Sequence, residues 1–206
     1  MVASPHNFQP LTDEQLLAAH LNGDAAAFAV LVERYKRELF TFLQRFLGDP
    51  ASADDVFQET FIQVHQSGDT FDATKRFRPW LFTIAANKAR DHLRSRARRR
   101  TAPLQASMDS TNSEGRQFID LLESVELGPD AHLEKTETAQ RVHAAIALMP
   151  DNLREILLLA YFQQFPYRQI AEILELPLGT VKSRLHAAVE AFAQIWKSSN
   201  RSALAS

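Results

Sequence analysis

The chain has 206 residues and no cysteine. That excludes a disulfide framework and a thiolate metal site, and it fits a reducing compartment. No apolar run approaches the roughly 20 residues that span a bilayer. The start, MVASPHNFQPLTDEQ, lacks the basic and apolar segments of a secretory signal. A cytoplasmic protein with no membrane insertion is expected. Glycine is scarce, at 6 residues, and no phosphate-cradling loop can be drawn from it. Gly179-Thr180-Val181-Lys182-Ser183 has neither a preceding strand nor a second glycine. Strand-period alternation and internal repeats are absent too.

What is present is helical periodicity, in a chain that is 45% hydrophobic and long enough for one large or two small domains. Thr12-Asp13-Glu14-Gln15 has capping-box spacing and predicts a short helix ending near Gly23. Asp24 caps a helix over Ala25–Leu47, with Phe28, Leu31, Val32, Tyr35, Leu39, Phe42, Leu43 and Phe46 as its apolar stripe. Gly48 ends it, and Pro50 suits the first position of the next helix, Ala51–Gln66. A loop over 67–74 leads to a helix over Trp80–Arg98. Past Thr101 the pattern weakens, apart from a short apolar piece at Phe118–Leu122. It resumes with helices over 131–148 and Asp151–Phe162, and the chain should fray past Lys197. The expected fold is all-α: two small helical domains, 24–100 and 131–197, between an N-terminal segment 1–23 and a tail 198–206. A flexible acidic linker, 101–130, joins the domains.

Tyr167–Ala188 reads as two short helices around a turn, Glu175-Leu176-Pro177-Leu178. Gly179 and Thr180 would open the second, with Thr180 as its cap. Val181, Leu185, Ala188 and Phe192 fall on one face and pack inward. Thr180, Ser183 and Ala187 face away, beside Lys182 and His186. Short polar side chains near a helix start let the backbone approach base edges while cations hold phosphates. An ordinary helical hairpin with a solvated face has the same spacing, so this stretch alone does not decide.

The formal net charge of −2 hides a steep gradient. Residues 1–74 carry −7, 75–100 carry +9, 101–137 carry −6 and 138–206 carry +2. The cationic block holds Lys88, Arg90, Arg94, Arg96, Arg98, Arg99 and Arg100, just after Arg76 and Arg78. Complementing a helix dipole accounts for two or three cations in a last turn, not for so many with almost no acid. Phe71, Phe77 and Trp80 beside them suit unpaired bases, which stack on rings while cations track the backbone, although each ring taken singly reads better as core than as a base platform. Asp54, Asp55, Gln58 and Glu59 form an acidic group. It could serve acid–base chemistry, a metal, a partner protein or simply a solvated face; no histidine at useful spacing supports a metal. The seven histidines are scattered along the chain.

Three long motifs, ADDVFQETFIQVH, RPWLFTIAANKARDHLRSRARR and MPDNLREILLLAYFQQFPYRQIAEILELPLGTVKSRLHAA, stand in this order. Together they closely resemble bacterial RNA polymerase sigma factors of the sigma-70 family, in the short two-domain extracytoplasmic-function group. The resemblance covers about residues 24–197. It implies that 24–100 is region 2 and 131–197 is region 4. It implies that Asp54, Asp55, Gln58 and Glu59 dock on core polymerase. The loop from Ser67, with Thr70, Phe71, Lys75, Arg76, Phe77 and Trp80, would capture an unpaired base of the −10 element. Asn87, Lys88, Asp91, His92 and Arg94 would contact melting DNA. Thr180, Lys182, Ser183, Arg184 and His186 would read the −35 element, and the linker would thread towards the polymerase active centre. Core RNA polymerase and promoter DNA are the implied partners, with regulation from outside, often by an anti-sigma protein. No catalytic residue, cofactor, metal or small-molecule substrate is implied. The sequence departs from the family at Ala187 and Ala188, where a basic or bulky residue is common, and at His65, where many members have Trp. The latter is expected to change packing only. Apart from the resemblance, a free-standing helix-turn-helix regulator with an N-terminal partner or ligand domain fits the residues; a metal-dependent hydrolase using Asp54, Asp55 and Glu59 fits poorly.

Overall fold

The structure is a computed structural model that describes residues 11–100 and 133–203. The linker 101–130, with its apolar piece Phe118–Leu122, lies outside the described residues, as do residues 1–10 and the last three of the tail. The described residues are helical throughout, with no strand among them.

Local signals account for the helix ends. Thr12 begins α1 (Asp13–Leu21) with a complete capping box: Gln15 N–H donates to Thr12 Oγ1 at 3.2 Å, and Thr12 N–H to Gln15 Oε1 at 2.9 Å. Asp24 caps α2 (Ala25–Leu47) by accepting from Ala26 N–H at 2.9 Å. Gly48 ends α2 in the left-handed region, φ 72°, which glycine adopts at no steric cost. Asp49 caps α3 (Pro50–Ser67), accepting from Ser52 N–H at 3.1 Å. A single 3₁₀ turn, Gly68–Thr70, follows.

Helix α4 spans Phe77–Arg100 and so begins three residues earlier than the sequence suggests. Pro79 sits inside its first turn, where the missing N–H would have had no helical partner. Glu14 on α1 supplies the start signal from a distance: its carboxylate accepts from Phe77 N–H at 2.9 Å. That bond crosses 63 positions of sequence, which is why local reading missed it.

The second domain contains α5 (Leu133–Ala147), α6 (Asp151–Leu157), a π turn (Leu158–Phe162), α7 (Tyr167–Leu174) and α8 (Leu178–Ala203). The single helix expected over Asp151–Phe162 therefore splits. Its widened turn is closed by Gln163 N–H donating to Leu158 C=O at 3.0 Å. Helix α8 also corrects two expectations. It begins at Leu178, with Val181 N–H bonding to Pro177 C=O, so Thr180 lies in the first turn and does not cap it. It continues past Lys197 to Ala203.

The two domains share one buried core. Helices α2, α3 and α4 pack on one another, α7 lies against α4, and α5 and the π turn lie against α2. In the first domain Phe42, Phe46 and Phe82 interlock, with Phe42 and Phe82 edge to face at 5.3 Å.

Candidate nucleic-acid interface

Helix α3 turns Val56, Thr60, Phe61 and Val64 into the core. The opposite face therefore carries Asp54, Asp55, Gln58 and Glu59, all exposed, and Gln58 Nε2 donates to Asp54 at 2.8 Å. Ile62, an exposed apolar side chain, stands in the same row. Among the described residues no group of three or more histidine or carboxylate side chains is placed to hold a metal ion.

The loop after α3 is held by its own side chains. Asp72 accepts from Thr74 N–H at 3.0 Å and from its hydroxyl at 2.7 Å, which holds the Asp72 carboxyl below its usual range. Thr70 donates to Ser67 C=O at 2.7 Å. Gly68 is tightly fitted: a Cβ there would meet Leu21 at 3.1 Å. These bonds shape the connection that carries Phe71, Lys75 and Arg76. The rings of Phe71 and Trp80 lie 4.9 Å apart and half-buried. Phe77, proposed by the resemblance to meet DNA, is fully buried, 5.8 Å from Trp80 and 5.6 Å from Tyr35. Its ring supports Trp80 and Phe71 from below and has no free face for a base.

Beyond this platform α4 presents Asn87, Asp91 and Arg94 to solvent, with Lys88 and His92 half-buried beside them. Arg94 pairs with Asp91 at 3.3 Å, and Arg90 donates to Asn87. Both acceptors therefore orient arginines along the helix.

Helix α8 buries Val181, Leu185, Ala188 and Phe192, as the spacing predicts. Lys182, Ser183 and His186 are exposed, Thr180 is half-buried, and Ser183 Oγ donates to Thr180 C=O at 3.1 Å. His186 faces Glu190 at 3.8 Å. Arg184 is half-buried, and its charge acts on Glu155.

Glu155 is 4% exposed, and Arg90 Nε lies 3.6 Å from its carboxylate. Burial pushes its carboxyl up to about 7, against the opposing pull of Arg90, Arg184 and Arg94. Nothing in the sequence pattern separates Glu155 from an ordinary surface acid. The histidines hold a second surprise. His20 Nε2 and His65 Nδ1 are 2.8 Å apart, and the His20 ring stacks on Phe28 at 4.3 Å. Burial and His65 together lower the His20 pKa. The pair joins α1 to α3 over 45 positions, beyond any local spacing rule.

Residues 31–99 match the model of sigma-70 region 2, and residues 139–192 match sigma-70 region 4. The chain is 34% identical to the RNA polymerase sigma-H factor of Pseudomonas aeruginosa, over 87% of this chain and 91% of that protein. The chain belongs to the extracytoplasmic-function sigma factors of the sigma-70 family. It is also 31% identical to the ECF RNA polymerase sigma factor SigW of Bacillus subtilis, over 82% of this chain and 88% of the relative. The fold is similar to that of CnrH in complex with the cytosolic domain of CnrY, with a TM-score of 0.62 at 24% identity over 90% of this chain and 97% of the other. As a sigma factor the protein is not an enzyme; it directs promoter recognition by RNA polymerase through regions 2 and 4. Among the described residues no helix is long and apolar enough to cross a membrane.

Proposed function

We propose that this sigma factor divides its work among three surfaces. The exposed acids of α3, Asp54, Asp55 and Glu59, with Gln58, dock on core polymerase. Phe71 and Trp80 receive an unpaired base of the −10 element while Thr70, Lys75 and Arg76 line the strand. Asn87, Lys88, Asp91, His92 and Arg94 steer the melting duplex. Thr180, Lys182, Ser183, Arg184 and His186 read the −35 element in the major groove. The two DNA-reading domains are the segments 24–100 and 131–197, and the sigma factor acts in the cytoplasm.

One observation carries this reading: a half-open aromatic pair lies at the start of the helix with the chain's densest run of cations. Melting costs stacking energy, and rings that accept an extruded base repay part of it, about 1–3 kcal/mol per base. Base-edge contacts from α8 add roughly 1–3 kcal/mol each to the choice of sequence. Held on one polymerase, the two weak sites act as one tight one. The net charge of −2 agrees, since the acidic α3 face repels DNA until polymerase covers it. An anti-sigma protein is the expected external regulator: a Bartonella quintana sigma factor RpoE of similar fold, TM-score 0.61, was solved in complex with the anti-sigma factor NepR.

The test is transcription in vitro with core RNA polymerase on fragmented genomic DNA of the source organism, with and without this protein. New transcripts that require it, with shared sequences near −10 and −35, are expected. No binding to core polymerase would overturn the reading.

A further inference from the structure

Helix α1 has no part in the function above, yet it holds both ends of the connection, residues 68–76, that carries Phe71, Lys75 and Arg76. At the upstream end His20 Nε2 lies 2.8 Å from Nδ1 of His65, near the end of α3. Beside His20, Leu21 and Leu17 close over Gly68, where an added Cβ would lie 3.1 Å from one and 3.4 Å from the other. At the downstream end Glu14 accepts from Phe77 N–H at 2.9 Å. The helix is itself fixed to α2: Arg34 Nη1 donates to Asp13 at 2.8 Å, and the Tyr35 hydroxyl donates to the same carboxylate at 2.5 Å. Its Leu16 and Leu17 are fully buried.

Among these grips only the histidine pair has an ordinary titration range that reaches neutrality. A neutral pair places one N–H and one lone pair between the rings, and so does a pair with one extra proton; either makes a hydrogen bond. A second extra proton puts an N–H on both nitrogens and sets two like charges against each other, and the bond is lost. Burial, and then His65, hold the His20 pKa below its ordinary 6.5, while the backbone of Asp24 opposes them. From α2 the pair meets the Phe28 ring, stacked on His20 at 4.3 Å. No carboxylate acts on His20: that of Asp24 accepts from Ala26 N–H, and Asp69 on the 3₁₀ turn is exposed. A folded pKa below the unfolded one means that the parted form takes the proton more readily. The grip is therefore complete above about pH 6.5 and is lost progressively as pH falls below it.

We infer that α1 is the frame that positions the base-capturing connection, and that the His20–His65 bond is a proton-sensitive latch in that frame: engaged in neutral solution, it releases the upstream end of the connection when both rings are protonated. This rests on the proposed role of Phe71 and Trp80 in base capture. Glu14, His20 and His65 are positioning residues; they touch no base and act through the backbone they hold. Acidification then weakens promoter melting without changing how α8 reads its element.

The test uses the full chain, alone and with core RNA polymerase. His65→Asn offers an amide in the place of Nδ1 and carries no charge at any pH; His65→Ala removes the bond. Melting is read by permanganate reactivity of unpaired thymines from about pH 7.5 to about pH 5.5. Each value is taken relative to His65→Asn, so that the pH response of the polymerase cancels. The wild-type ratio is expected to fall about two- to tenfold over this range, as loss of one hydrogen bond implies, and His65→Ala to be that low already at the upper pH. Amide hydrogen exchange of residues 68–76 in the free protein gives a second reading. At neutral pH it is expected to be faster in His65→Ala and Glu14→Ala than in wild type, and restored in His65→Asn and Glu14→Gln. A constant melting ratio overturns the latch. Unchanged exchange in alanine variants of wild-type helix content overturns the frame. If those variants lose helix content, wild type and His65→Asn are compared at the lower pH, where equal exchange overturns the proposal. If Trp80→Ala melts promoters as well as wild type, the capture reading falls, while the exchange comparison still decides whether α1 holds the connection.

Discussion

Helix α4 and helix α8 each bury one face and turn cations outward, but they do so differently. The segment containing α4 carries ten Lys and Arg against one acid over residues 75–100, with two half-buried rings at its start. Helix α8 shows a sparse group near its N-terminus: Thr180, Lys182, Ser183, Arg184 and His186. Dense charge with rings suits a backbone whose bases have left the stack, because charge attracts every sequence alike and rings accept any base. Sparse short side chains suit an intact groove, where discrimination lies in individual base edges. On the proposed function, the difference between the helices is the difference between melting and reading.

Substitutions sharpen that comparison. The largest effect is expected from Phe77→Ala. Its ring is fully buried, so the loss should be about 3–5 kcal/mol in urea unfolding. Trp80→Ala, half-buried in the same cluster, should cost less stability. It should weaken open-complex formation by about 1–3 kcal/mol, read by permanganate reactivity of unpaired thymines. Equal stability losses at the two positions would mean that no working platform exists. Next, Lys182→Ala in α8 should relax the preference at one −35 position by about 1–3 kcal/mol in promoter competition. Arg98→Ala in α4 should lower affinity for all sequences alike and reduce the salt slope of holoenzyme binding by about 1.

A pH series probes Glu155, the buried carboxyl where α6 meets α4. Glu155 faces Arg90 and Arg94 from α4, Arg184 from α8 and Asp151 from its own helix. Its folded pKa of about 7 exceeds the ordinary 4.5. Between these values the folded chain holds more protons than the unfolded one, so stability should fall as pH rises from 4.5 to 7 and level off above. Glu155→Gln should flatten that part of the curve. An unchanged slope would show that Glu155 is not the group responsible. The smallest effect is expected from Asp24→Ala, which removes the α2 cap and should cost about 1 kcal/mol, read as a shift of the urea midpoint.

Much of the fold was legible because its signals are local. The bounds of α1 and α2 follow from Thr12, Asp24, Gly48 and the apolar stripe between them. Thr180 misled: its residue type suits a cap, but Pro177 C=O already accepts the first helical bond. The exposed residues of α8 were readable because the buried face at Val181, Leu185, Ala188 and Phe192 leaves only one outward side. Phe77 was misplaced because a ring flanked by cations looks the same whether its neighbours cover it or not.

The sequence by itself determined where the helices lie, which faces are apolar, and how charge is divided among α3, α4 and α8. These depend on residues within a turn or two of one another. Only the tertiary structure decided that Glu14 starts α4, that His20 meets His65, that Phe77 lies beneath Trp80, and that Arg78 joins two domains. The contacts of Glu14, His20 and Arg78 each span tens of residues of sequence, and Phe77 is covered from Tyr35 on α2. No period or cap encodes them; they exist because the apolar faces bring their neighbours together and the polar groups carried along must find partners there.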